Sequence, residues 1–171
     1  MIHKERLLAA ISHKQPDFVP IDLGGTRDSS IVIEGYEKLK KYFGIEDNND
    51  LADRMMRVVA VDENILKKLD IDTRAVFMGA PIKNYQEISK NRYKDVWGVE
   101  RVKPQNGYYF DQLSYPLSGN ISSVDIKNYA WPDPDDPGFI RGLKGRAAWI
   151  KNNTDCAIVL TLPSPFVHIS Q

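Results

Sequence analysis

Hydrophobic positions fall into two rhythms along this chain. Leu7, Leu8 and Ile11 mark one side of a short helix over residues 4–12. Ile33, Tyr36, Leu39 and Phe43 recur at spacings of three, three and four, one face of a second helix that Gly44 stops. Leu51, Met55, Val58 and Val59 repeat that rhythm and predict a third helix, and Asp62 opens a further short one carrying Ile65, Leu66 and Leu69. Continuous apolar runs read instead as strands: residues 18–23 between Pro16 and Gly24-Gly25, residues 75–78 closed by Gly79-Ala80-Pro81, and residues 156–162.

The middle of the chain is different. Residues 95–102 and 108–113 are rich in β-formers and flank Pro104-Gln105-Asn106-Gly107, where Asn-Gly predicts a hairpin turn. Trp131 to Pro137 is a rigid proline-rich loop. Asp136 is placed to cap a helix that starts at Pro137, carries Phe139, Leu143, Ala147 and Ile150, and ends at Asn152-Asn153. Strands alternating with helices predict a βαβ unit and a parallel sheet, with the hairpin as an excursion.

Composition narrows the function classes. The 171 residues hold 23 Lys+Arg against 23 Asp+Glu, and this balance argues against nucleic acid or an anionic membrane as the main partner. No apolar run reaches the length of a membrane span, and residues 1–11 lack the apolar core and cleavage site of a secretory leader, so a cytoplasmic protein is expected. One cysteine, Cys156, permits no disulfide and no Cys-based metal cluster within the chain; a buried thiol is expected.

Several segments, taken in order, resemble the uroporphyrinogen decarboxylase superfamily. Lys4-Glu5-Arg6-Leu7-Leu8-Ala9-Ala10-Ile11 leads into Pro16-Asp17-Phe18-Val19-Pro20-Ile21-Asp22-Leu23-Gly24-Gly25-Thr26, as at the start of that superfamily. Val61-Asp62-Glu63-Asn64-Ile65-Leu66, Leu69 to Arg74, Lys94 to Val99, Tyr129 to Pro137 and Pro163 to Gln171 continue the match. The resemblance implies the N-terminal part of a (β/α)8 barrel, about three βα units with an inserted hairpin at residues 90–118 and a helical lead-in at residues 1–17. It implies a single incomplete domain over residues 1–171, because such a barrel needs roughly 250 residues to close. A missing C-terminal half or a second copy is then the expected partner.

The superfamily implies two chemistries. One is decarboxylation of uroporphyrinogen, with arginines holding the acetate groups. The other is methyl transfer between a corrinoid and a thiol or other acceptor, with zinc activating the thiol in some members. Where the decarboxylases carry an Arg-Gln-Ala-Gly-Arg pattern, Gly25 stands in place of the first arginine, and Gln171 stands where a tyrosine is expected. Both departures favour the corrinoid branch, with a small molecule or a corrinoid protein as substrate.

Barrel active groups sit where strands end, which selects Asp22, Gly24, Gly25, Thr26, Arg27 and His168 as substrate-binding candidates. The other reading of the Gly-Gly-Thr-Arg segment is a tight turn with a solvated arginine. Asp62 matches, approximately, the superfamily's catalytic aspartate; its competing role is an N-cap. No metal ligands are expected in this chain, so any zinc or corrinoid site belongs to the complete enzyme. His3 and His13 read as surface residues. Trp97, Tyr108, Tyr109 and Tyr115 form either a stacking face for a planar ligand or an aromatic hairpin. A non-catalytic remnant remains the reading from outside enzymology.

Overall fold

In a computed structural model the described residues are 1–46, 48–82 and 86–162, and they divide into two compact units. Among the described residues, the first comprises Met1–Met78 and Ile140–Leu162; the second lies within Gly79–Phe139.

In the first unit, helix α1 (His3–Ile11) and helix α2 (Ile33–Phe43) lie where their apolar spacing puts them. Gly44 ends α2 at φ +63°, the left-handed conformation that lets the chain leave a helix without a Cβ clash. Strands β1 (Leu51–Asp53) and β2 (Val58–Val59) pair antiparallel, and helix α3 (Glu63–Lys68) follows. Strand β3 (Thr73–Phe77) belongs to this unit, as do helix α5 (Leu143–Asn153) and strand β8 (Ala157–Thr161). Tyr36, Val59 and Ile65 are fully buried, with Ile31, Ile33, Leu39, Phe43, Ile45, Val61 and Leu69 packed around them. Burying side chains of this size stabilises by about 1.5–3 kcal/mol each.

Strands β3 and β8 pair in parallel, Thr73 opposite Ala157 through Phe77 opposite Thr161. Helix α5 packs on both strands, buries Ile150 and sends Arg146 Nε to the Ala75 carbonyl at 3.3 Å. Burial lowers the Arg146 pKa from its ordinary value. On β8, Ala157 is buried while Ile158 and Leu160 face outward at 44% and 51% exposure. One face of the strand is covered and the other is open.

The second unit holds a four-stranded antiparallel sheet, β4 (Gln86–Ser89), β5 (Arg92–Lys94), β6 (Glu100–Val102) and β7 (Asp111–Gln112), in that order. Helix α4 (Ser123–Asn128) follows. Tyr93 is buried against Phe110 at 4.9 Å, and the Asp95–Arg101 ion pair spans 2.7 Å. The expected hairpin is present as β6 and β7. Its connection is a longer loop, with Gly107 N–H donating to the Pro104 carbonyl and Gly107 outside the positive-φ region. Tyr108, Tyr109 and Tyr115 are about half exposed.

The expected barrel portion is not what forms. Among the described residues only β3 and β8 run parallel, the other two sheets are antiparallel, and no repeating βα pattern is present. Three local causes are visible. Residues 18–23 make no strand: Pro20 has no N–H, and the Ile21 N–H goes to the Asp72 carboxylate at 2.7 Å rather than to a ladder carbonyl. The only main-chain bond joining that segment to β3's lead-in runs from Asp72 N–H to the Ile21 carbonyl. Residues 51–59 make a hairpin rather than a helix. Asp53 Oδ1 takes the Met56 N–H at 2.8 Å, and Arg57 turns the chain at φ +52°. Asp136 does not start a helix at Pro137. Its carboxylate takes the N–H groups of Gly138 and Ile82, and α5 begins only at Leu143, behind Gly142 at φ +78°.

Among the described residues no helix is long and apolar enough to cross a membrane.

Candidate functional site

Residues 22–30 fold into a loop whose polar groups bind one another. Asp22 Oδ1 accepts from Gly25 N–H at 2.9 Å and from the Thr73 hydroxyl at the start of β3. Thr26 N–H donates to Ser29 Oγ at 3.0 Å, and Ser29 N–H donates back to Thr26 Oγ1 at 3.1 Å. Gly24 N–H bonds the Ser29 carbonyl, and Ser30 Oγ donates to the Val59 carbonyl, which fixes the loop to β2. The Thr161 hydroxyl, at the end of β8, donates to the Gly25 carbonyl at 3.4 Å. The loop therefore lies against side chains from both parallel strands.

Both glycines are required there. Gly24 sits at φ +75° with Val61 Cγ2 only 3.0 Å from where a Cβ would stand. A Cβ on Gly25 would overlap the Asp22 carboxylate and come to 3.0 Å from Thr73 Oγ1. Arg27 is half-buried and reaches Asp53 at 3.3 Å, so it is held rather than freely solvated.

The structure thus gathers Asp22, Gly24, Gly25, Thr26 and Arg27 in one loop. Asp62 follows Val61, which packs on Gly24, but Asp62 itself caps α3: its Oδ1 accepts the Asn64 N–H at 2.8 Å, while its own N–H donates to the Tyr36 hydroxyl at 3.0 Å. The N-cap role is met in full. His168 and Gln171 lie outside the described residues.

A second polar cluster occupies the beginning of β3 and β8. Asp72, almost wholly buried, accepts from Ile21 N–H, from His3 Nδ1 at 2.8 Å and from Arg6 Nη1 at 2.5 Å. Burial, the largest single influence, pushes its carboxyl pKa up, but these hydrogen bonds and the Arg6 charge outweigh it, and the net shift is downward. Arg6 also grips Asp17, whose carboxyl is held far below the usual range mainly by that bond. On the other side of His3, Nε2 lies 3.5 Å from Asp70 Oδ1 and 3.8 Å from Asp155 Oδ1. Cys156 is buried as expected, and burial raises its thiol pKa. His3, Asp70, Asp155 and Cys156 border a cavity of about 170 Å³.

The sequence does not announce this cluster. His3 reads there as a surface residue, yet it is half-buried and bonded to Asp72. The one available signal is three acidic residues, Asp70, Asp72 and Asp155, just ahead of two strands.

Comparison with protein-family models, with curated proteins and with solved structures gives no match to this chain. The resemblance to the uroporphyrinogen decarboxylase superfamily therefore stands on the residues quoted for it.

Proposed function

We propose that this chain is part of a cytoplasmic enzyme that transfers a methyl group between a corrinoid and a thiol or other acceptor, with the Asp22–Arg27 loop contacting the substrate. The ordered resemblance supplies the reaction class. The observation that carries the choice within it is the seat of Gly25. The Asp22 carboxylate occupies the space an arginine side chain would enter, and the loop's own cation, Arg27, is already paired with Asp53. A loop built this way presents no row of guanidiniums to a ligand. Each acetate group deprived of a charged partner forfeits about 1.5–3 kcal/mol, which disfavours a polycarboxylate substrate at this loop.

Asp22 positions Gly25 and Thr73, Thr26 and Ser29 hold each other's N–H groups, and Gly24 lets Val61 pack against the backbone. A corrinoid supplies the methyl–cobalt bond that breaks. No residue of this chain is assigned to zinc in that reaction. Ile158 and Leu160, apolar and outward-facing on β8, support pairing of that face with further polypeptide or a second copy.

Equilibrium binding tests this reading. Methylcobalamin is expected to bind saturably, Thr26→Ala and Arg27→Ala to weaken it, and uroporphyrinogen to bind far more weakly. Tight uroporphyrinogen binding with no methylcobalamin binding would reverse the choice of chemistry. Absence of both would favour a non-catalytic role.

A further inference from the structure

The cluster at the beginning of β3 and β8 has the chemistry of a metal site. One ring nitrogen of His3, an Asp155 carboxylate oxygen and Cys156 Sγ all lie within 4.8 Å of one another. Two ligands of one tetrahedral zinc stand about 3.3–3.8 Å apart, given metal–ligand bonds of about 2.0–2.3 Å. The 3.8 Å between His3 Nε2 and Asp155 Oδ1 already meets that distance, and the widest separation needs to close by about 1 Å.

Two features outside the triad point the same way. The Asp72 carboxylate can only accept, so in their 2.8 Å bond His3 Nδ1 is the donor, and Nε2 is the ring nitrogen that faces Asp70 and Asp155. A carboxylate behind the imidazole is how metal-binding histidines are oriented and made more basic. The backbone also fixes the pair: Lys4 N–H donates to the Asp155 carbonyl at 2.9 Å, which holds the first turn of α1 beside the residue preceding Cys156. The cavity, lined also by Asp70, Asn153 and Thr154, leaves room for a fourth ligand.

We infer that His3, Asp155 and Cys156 bind a divalent cation of the zinc class, which clamps α1 to the start of β8. One thiolate, one imidazole and one carboxylate are a mixed set that suits zinc and its substitute cobalt, and not calcium or magnesium, which take oxygen ligands. The site is separate from the Asp22–Arg27 loop, and its failure would leave the methyl-transfer reading untouched.

Cobalt(II) titration of the purified chain tests it. One equivalent is expected to bind, with a thiolate-to-cobalt charge-transfer band and the intense visible bands of a tetrahedral ion; zinc should displace it. Cys156→Ser should abolish the charge-transfer band, and His3→Gln and Asp155→Asn should each weaken binding at least about tenfold, the lower end of what even outer-shell losses cost. Zinc should also slow alkylation of Cys156 in the unaltered chain, a readout that holds if a variant fails to fold. No saturable binding, a band that survives Cys156→Ser, or an alkylation rate indifferent to zinc would each overturn the assignment.

Discussion

Replacing Asp72 by asparagine keeps the side chain's volume and removes its charge. In the folded chain that carboxylate receives three donors, the Ile21 N–H, His3 Nδ1 and the Arg6 guanidinium, at 2.7, 2.8 and 2.5 Å. An amide presents a donor on one side, so even with its oxygen kept toward His3 and Arg6 the Ile21 N–H loses its acceptor and faces an N–H. A hydrogen bond to a charged group contributes about 1.5–3 kcal/mol, and breaking a buried ion pair costs about 3–5 kcal/mol. Arg6 keeps Asp17 at 2.9 Å, which places Asp72→Asn toward the lower end, a loss of about 3 kcal/mol. For a chain of this size that lowers the melting temperature by about 6–12 °C. The assay is urea unfolding followed by Trp149 fluorescence, with Trp97 and Trp131 changed to phenylalanine so that the signal comes from the first unit. A double-mutant cycle with Arg6→Met should return a coupling of at least about 1 kcal/mol. A loss under about 1 kcal/mol with no coupling would refute the claim that Asp72 holds α1 and residues 18–23 in place.

Three further outcomes are expected. Asp62→Ala should cost about 1 kcal/mol of stability by chemical denaturation, whereas Asp62→Asn, an equally good cap, should cost almost none; loss of turnover in Asp62→Asn at unchanged stability would assign Asp62 a chemical role. Gly25→Ala should destabilise by about 1–3 kcal/mol, since its Cβ meets Asp22 and Thr73, and a melting temperature equal to the parent's would contradict the packing of the loop. Asp125, which accepts from the Ser122 hydroxyl and N–H at the start of α4, should titrate below the ordinary carboxylate range by carbon-detected NMR. Because its folded pKa is lowered, its contribution is complete above the unfolded value and disappears as pH falls through the folded one; Ser122→Ala should move the titration back up.

What the sequence reveals, and what it hides, divides by the range of the interactions involved. Helix α2 and its stop at Gly44 are local events, spelled by spacing and one glycine, and they are found as written. Strands β3 and β8 follow from apolar runs. Residues 18–23 are equally apolar but form no strand, because a carboxylate 51 residues away takes the Ile21 N–H. Asp53 and Asp136 each divert a predicted helix by binding nearby N–H groups, a competition that periodicity does not register. The two candidate sites divide in the same way. The Asp22–Arg27 loop is contiguous in sequence. His3 and Cys156 meet only because α1 packs at the start of β8, and no local pattern carries that meeting.

The most direct test of the functional account is turnover: methylcobalamin and a thiol acceptor are incubated with the protein, the cobalt–methyl chromophore is followed, and the methylated thiol is assayed. The account predicts enzyme-dependent loss of the chromophore matched by methylated product, reduced in Arg27→Ala. Release of carbon dioxide from uroporphyrinogen, with the methyl–cobalt bond left intact, would contradict it.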